Sequence, residues 1–185
     1  MMIRWMLLRH AKSDWADSSL EDKERPLNPR GKKAAWSMGQ KLAQNDLIPE
    51  RILCSTALRS VQTLQGIQQT LSQYSQRGVP EIVPEILFFD ELYLANPETI
   101  VRVAQSNHGG RSSLMCIGHN PGMELLASGL SAQEIEMKTA HLIVFEKQTE
   151  TQSQTLADWG NASEMYKGWK MAENLRGEGE GGQER

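Results

Sequence analysis

Residues 112–124 read Ser112-Ser113-Leu114-Met115-Cys116-Ile117-Gly118-His119-Asn120-Pro121-Gly122-Met123-Glu124. A short apolar run, Leu114 to Ile117, is bounded on both sides by polar or turn-forming residues. That pattern suits a strand buried on both faces, as a parallel sheet requires. The run passes straight into glycine, histidine, asparagine, proline and glycine, and then into a helical pattern from Met123 to Leu130. The expected unit is strand, tight loop and helix, with the loop at the carboxyl end of the strand. In open α/β sheets that is the end where ligands bind.

The same unit recurs on either side. Ile3 to Leu8 reads as a first strand ending at Arg9-His10, followed by a polar loop from Lys12 to Asn28. Ala34, Ala35, Met38, Leu42 and Ala43 recur at helical spacing and predict a helix over 31–47. Arg51 to Cys54 reads as a second strand. Ser55 or Thr56 then caps a helix running to about Tyr74, with Ala57, Val61, Leu64, Ile67 and Leu71 inward. Gly78 and Pro80 mark a turn before a short strand, Glu81 to Val83, and Leu87 to Ala95 is mixed. Pro97 sits in the first turn of a helix ending before Asn107, and Ala140 to Phe145 supplies another strand. Gln148 to Gln154 reads as a solvated loop. Strands alternating with helices predict an α/β fold of three layers, with a mostly parallel central sheet covered on both faces. One catalytic domain is expected over 1–170, with 171–185 as a flexible polar tail.

The chain has 185 residues, 39% apolar and 23% charged, with formal net charge -3. That profile lacks the clustered basic surface of a nucleic-acid binder, so no nucleic-acid partner is expected. Cys54 and Cys116 both fall within apolar runs and read as buried strand thiols rather than a disulfide framework. Met1 to Leu8 is broken by Arg4 and is too short for a signal-peptide core. No other run approaches the roughly 20 residues of a membrane span. A cytoplasmic location without membrane association is the expectation.

Three segments follow the carboxyl ends of predicted strands and so can share one rim: Arg9-His10, Ser55 to Arg59, and Gly118 to Asn120. A neutral imidazole at His10 can attack phosphorus and carry the phosphoryl group covalently. Neighbouring arginines oppose its protonation. Arg59, one turn into a helix, and Arg9 supply rigid forked donors for a dianion. His119 between glycines can approach a ligand closely and donate to a phosphoryl oxygen. Each of the three also has a plainer reading taken alone: a surface histidine, a solvated helix arginine, a turn histidine. No pair of histidines four apart, Cys-x-x-Cys pair, Walker loop or dinucleotide fingerprint is present, so neither metal nor cofactor is expected.

Leu7-Leu8-Arg9-His10-Ala11 resembles the signature of the histidine phosphatase superfamily. Arg9-His10-Ala11-Lys12-Ser13, then Asp22 with Arg25-Pro26-Leu27 and Arg30-Gly31, then Ser55-Thr56-Ala57-Leu58-Arg59-Ser60, then Gly118-His119-Asn120-Pro121 are together similar to the small SixA-type phosphohistidine phosphatases. The likeness covers nearly all of residues 2 to 146; Ala11 stands where the wider superfamily usually has glycine. The resemblance implies a phosphoglycerate mutase-like fold, His10 as phosphoacceptor, and a phosphate pocket of Arg9, Arg59 and His119. Ser13, Arg25, Ser55 and Asn120 are expected to contact substrate. Many members of the superfamily use a carboxylic acid as proton donor, and Phe89-Asp90-Glu91-Leu92-Tyr93 is similar to that region, which makes Glu91 the candidate acid.

The leading expectation is a metal-independent hydrolase acting on a histidine-phosphorylated protein, such as a component of a phosphorelay or a sugar phosphotransfer system. The rivals are a broad phosphomonoesterase with Glu91 as donor, a mutase, and a non-catalytic module that binds phosphoproteins. The departing imidazole of phosphohistidine needs little acid help, whereas an alkyl phosphate needs much.

Overall fold

The computed structural model describes residues 2–75, 83–148 and 166–178. In chain order the elements are β1 (Met2–Arg9), α1 (Pro29–Gln44), β2 (Arg51–Ser55), α2 (Leu58–Ser75), β3 (Glu85–Phe89), α3 (Pro97–Asn107), β4 (Ser113–Gly118), α4 (Gly122–Ser131), β5 (His141–Gln148) and β6 (Lys170–Arg176). Single 3₁₀ turns at Asp22–Glu24 and Asp90–Leu92 interrupt the two long loops. The strands form one sheet in the order β3-β2-β4-β1-β5-β6. β1, β2, β3 and β4 run parallel, and β5 and β6 are antiparallel additions on one side.

Period-two alternation in the strands divides the core into two layers. Met6, Leu8, Ile52, Cys54, Met115, Ile117 and Val144 face α1 and α2, meeting Met38, Leu42, Leu64 and Ile67. Trp5, Leu7, Leu53, Leu114, Cys116, Ile143 and Phe145 face α3 and α4, meeting Ile100, Val101, Met123 and Leu126. Helices thus cover both faces, and the three-layer α/β/α fold is as expected. Cys54 and Cys116 are buried free thiols. Burial pushes both thiols up, Cys116 to about 12, so neither ionises near neutrality.

The helix starts follow from local chemistry. Asn28 accepts from the Gly31 amide at 2.8 Å and Pro29 opens α1. Asn96 accepts from the Thr99 amide at 2.9 Å with Pro97 in the first turn of α3. Gly31 is required by packing as well, because a Cβ there would stand 2.1 Å from the Lys12 carbonyl oxygen. That close approach brings the start of α1 against the loop that follows His10.

Two expectations need correction. The third described strand is Glu85–Phe89, which begins before the stretch Leu87 to Ala95 read as mixed and overlaps its start, whereas a strand was expected over Glu81 to Val83. Val83 is outside any strand and exposed, while 81 and 82 lie outside the described residues. Among the described residues β3 has only β2 as a neighbour, so its side chains are partly exposed on both faces and its sequence carries no clean alternation. The stretch from 171 is also not wholly a tail. Lys170–Arg176 pairs with β5 as an edge strand, and the Gly177 amide donates to the Ala140 carbonyl at 2.9 Å. Its polar sequence reflects its place at the edge, where most side chains face solvent. Residues 179–185, and most of the loop expected over 148–154, lie outside the described residues. No helix among the described residues is long and apolar enough to cross a membrane.

Candidate active site

Three neighbouring parallel strands, β2, β4 and β1, end at the same rim. Arg9 lies opposite Gly118, and Cys54 opposite Ile117. The sheet therefore sets Arg9-His10, Ser55 to Arg59 and His119-Asn120 around an open cleft of about 420 Å³. Arg9, His10, Ser13, Arg25, Arg59, His119 and Asn120 all line it, joined by Asp22, Tyr93, Trp15 and Lys12.

His10 lies one residue beyond β1, and its backbone is still held from both sides. Its amide donates to the Gly118 carbonyl at 3.0 Å, and its carbonyl accepts from the Ala140 amide at 3.0 Å. The ring Nδ1 lies 2.7 Å from the Ala11 carbonyl oxygen, which can only accept, so Nδ1 carries the proton. Nε2 then presents its lone pair and accepts from Arg59 Nε at 3.2 Å. Burial, reinforced by the positive charges of Arg59, Arg9 and Arg25, outweighs the Ala11 hydrogen bond and lowers the His10 pKa to about 3. The imidazole is therefore neutral at physiological pH.

Arg59 is almost fully buried and uses its whole guanidinium. Nη1 donates to the Asp22 carbonyl at 2.5 Å; Nη2 donates to Asp22 Oδ2 at 2.9 Å and to His119 Nδ1 at 3.3 Å. Its backbone is tied to the first loop through Thr63, whose hydroxyl donates to the Arg59 carbonyl at 2.6 Å and accepts from the Ala11 amide at 3.0 Å. Since His119 Nδ1 accepts, its Nε2 carries the proton and meets Ser55 Oγ at 2.9 Å. Burial first, then His10 and Arg59, lower the His119 pKa to about 2. Ser55 accordingly stands behind His119 and orients it, rather than lining the cleft. The cap it was expected to supply to α2 is only a 3.3 Å contact with the Ala57 amide.

Arg9 donates from Nη1 to the Met137 carbonyl at 2.6 Å, and Asn120 Nδ2 donates to the same carbonyl at 2.9 Å. Ser13 is buried and bridges to Leu27, closing the base of the loop over 12–28. Arg25, also buried, donates from Nη2 to Asp22 Oδ1 at 2.6 Å.

Glu91 is not brought to the site. It pairs with Arg102 at 2.8 Å, and both side chains are more than half exposed. The 3₁₀ turn explains the difference. Successive residues advance by about 120° in such a turn, so neighbours point in different directions. Glu91 faces α3, Leu92 is buried, and Tyr93 reaches the cleft.

Two residues of the site have more weight than the sequence suggested. Asp22 stands in the motif with Arg25-Pro26-Leu27, but the sequence assigned it no role in the phosphate pocket. Its carboxylate gathers Arg59, Arg25 and the Tyr93 hydroxyl, the last donating at 2.6 Å. Burial pushes its pKa up, but the Tyr93 hydrogen bond and the two guanidinia prevail and hold it below the usual range. Tyr93 packs edge-on to His119 with ring centroids 5.4 Å apart. The place of Asp22 in that motif, three residues before Arg25, is the signal that marked it. Among the described residues no group of three or more histidine, cysteine or carboxylate side chains could hold a metal ion.

A family model for the histidine phosphatase superfamily (branch 1) matches residues 5–81. An uncharacterised chloroplastic protein of Arabidopsis thaliana is 33% identical over 139 residues, 75% of this chain and 63% of that protein, so this chain spans less than two thirds of it. An uncharacterised protein of Mycobacterium tuberculosis is 33% identical over 127 residues, 68% of this chain and 70% of its own. The crystal structure of a candidate phosphohistidine phosphatase SixA from Agrobacterium tumefaciens superposes with a TM-score of 0.69 at 27% identity, covering 94% of this chain and 97% of that one. The chain belongs to the histidine phosphatase superfamily.

Proposed function

We propose that the protein is a metal-independent phosphatase that removes the phosphoryl group from phosphohistidine on a partner protein through a covalent phospho-His10 intermediate. The observation that carries this reading is the pairing of a neutral nucleophile with a missing acid. His10 offers an Nε2 lone pair amid Arg9, Arg25 and Arg59. The one carboxylate lining the cleft, Asp22, is held ionised by three donors.

A P–N bond to imidazole suits such a site. The substrate ring, protonated on its far nitrogen, departs as neutral imidazole with the P–N electron pair while His10 Nε2 bonds to phosphorus. Phospho-His10 keeps its Nδ1 proton on the Ala11 carbonyl. When water attacks phosphorus, His10 can leave as a neutral ring, and the water's proton goes to the phosphate released. Arg9 and Arg59 hold the phosphoryl oxygens. His119 Nδ1 accepts from Arg59 in the ligand-free site, so it must gain a proton before it can donate to an oxygen, which an arriving dianion favours. An alkyl phosphate would need a carboxylic acid aimed at its leaving oxygen, and among the described residues the cleft has none in protonated form. Phosphorelay and phosphotransfer proteins are the partner class that carries phosphohistidine.

The test is acid-labile labelling. Enzyme quenched during turnover of labelled phosphohistidine protein should carry phosphate on His10, and His10→Ala should abolish both labelling and turnover while remaining folded. Labelling elsewhere, or turnover by the alanine variant, would end the mechanism.

A further inference from the structure

We infer that Trp15 is a specificity-determining residue that, with Leu94, forms an apolar mouth over the phosphate cleft and selects substrates whose leaving group is a flat ring. This deepens the function proposed above and rests on that reading for the phosphoryl half of the site.

The first observation is the cost at which Trp15 is displayed. Its side chain is 73% exposed although it belongs to the residue class with the largest apolar surface. The loop bearing it is nonetheless well fixed. Ser13 bridges to Leu27, the Asp14 amide donates to the Pro26 carbonyl at 2.7 Å, and the Ala16 amide donates to Asp14 Oδ1 at 2.9 Å. Trp15 is thus fixed on its two flanks and exposed between them.

The second observation is what the ring touches. The Arg25 guanidinium carbon lies 3.2 Å from its ring centroid, a cation–π stack. Arg25 is bonded to Asp22, and Asp22 to Arg59, which meets His10. The indole is therefore registered to the nucleophile through a chain of direct contacts, as a group that reads the far end of a substrate must be. Nε and Nη1 of Arg25 are buried and meet no acceptor among the described residues, so the indole covers donors that nothing else uses.

The third observation is Leu94. It also lines the cleft, is 53% exposed, and takes φ of 48°, a left-handed conformation that branched apolar side chains rarely adopt. Strained backbone that presents an apolar side chain to solvent beside a site of charged groups is found where function requires it. Trp15 and Leu94 are the two exposed apolar side chains of a cleft otherwise lined mostly by charged and polar groups. A phosphoryl group set among the arginines would place its leaving group between cleft and solvent, at these side chains. A flat ring gains a stacking surface there, and a polyol or an amine does not.

The experiment compares substrates that share a scissile bond and differ in the ring. Phosphoimidazole and phosphoramidate both break a P–N bond; an aryl phosphate and acetyl phosphate both break a P–O bond to a good leaving group. In Trp15→Ala the ratio of kcat/KM for phosphoimidazole over phosphoramidate should fall about tenfold, the scale of an aromatic contact. Trp15→Phe should restore the ratio to within about threefold of the wild-type protein. An unchanged ratio in W15A, or equal losses on both substrates, would overturn the proposal; equal losses would place the effect on the phosphate site through Arg25. If the wild-type protein does not turn over either P–N compound, the phosphohistidine reading fails by itself. The aryl and acetyl pair then decides the role of Trp15, by the same fall or constancy of the ratio.

Discussion

Arg59→Lys keeps the charge and removes the fork, which makes it the sharpest probe of the phosphate site. Arg59 contacts His10 through Nε, the Asp22 carbonyl through Nη1, and both Asp22 Oδ2 and His119 Nδ1 through Nη2. A lysine has one nitrogen for these four contacts, and a shorter reach. At most one or two of them survive. When the phosphoryl group occupies the cleft, the same nitrogens are its donors. The loss of one preorganised donor of this kind costs about 3–4 kcal/mol in the transition state, or about a hundredfold to a thousandfold in rate. That is the expected drop in kcat/KM on phosphoimidazole. Inhibition by inorganic phosphate should weaken less, about tenfold, because Arg9 and Arg25 remain and the ground-state dianion places smaller demands on geometry. The assay is steady-state turnover with phosphate inhibition, alongside circular dichroism and thermal melting to confirm that the variant is folded. A folded R59K protein within threefold of wild-type kcat/KM would show that Arg59 does not hold the phosphoryl oxygens.

The other outcomes are equally direct. Glu91→Gln should leave kcat/KM within about twofold on phosphoimidazole and on an aryl phosphate, because Glu91 faces Arg102 on the surface, where ion pairs contribute little. A hundredfold loss on either substrate would restore Glu91 as a proton donor. Acid should destabilise the fold through His10 and His119, whose folded pKa values lie near 3 and 2. Above about pH 6.5 the rings are neutral in both states. Between 6.5 and about 3 the unfolded chain takes up protons that the folded one does not, so stability falls as pH falls. Thermal melts from pH 8 to 4.5 should show this slope, and His10→Gln should reduce it; an equal slope in the variant would contradict the burial described.

The fold was legible where the sheet is thickest. Leu114 to Ile117 and Trp5 to Leu8 are apolar on both faces because both faces are covered, and that signal does not depend on distant partners. The edges were not. Glu85–Phe89 and Lys170–Arg176 are strands only because β2 and β5 offer them backbone partners, which their own side chains do not report. The site divided in the same way. His10, Arg59 and His119 could be found because each lies just past a strand end, in a chain whose parallel order sends those ends to one rim. Asp22 and Tyr93 meet across 71 positions through loops with no periodicity, and Glu91 drew attention because its segment resembles the one that carries the acid in many superfamily members. One 3₁₀ turn decided instead that Tyr93 would reach the cleft.

The two backbone bonds that hold His10 between Gly118 and Ala140 separate what can vary in this protein from what cannot. The backbone position of His10 belongs to the register of three strands, so no change in the loop over 12–28 needs to move it. That loop carries Trp15, Asp22 and Arg25, which line the cleft. A lineage can therefore exchange residues at the mouth of the cleft while the backbone position of His10 is inherited unchanged. Divergence of substrate within such a scaffold is expected to be recorded in that loop long before it reaches β1.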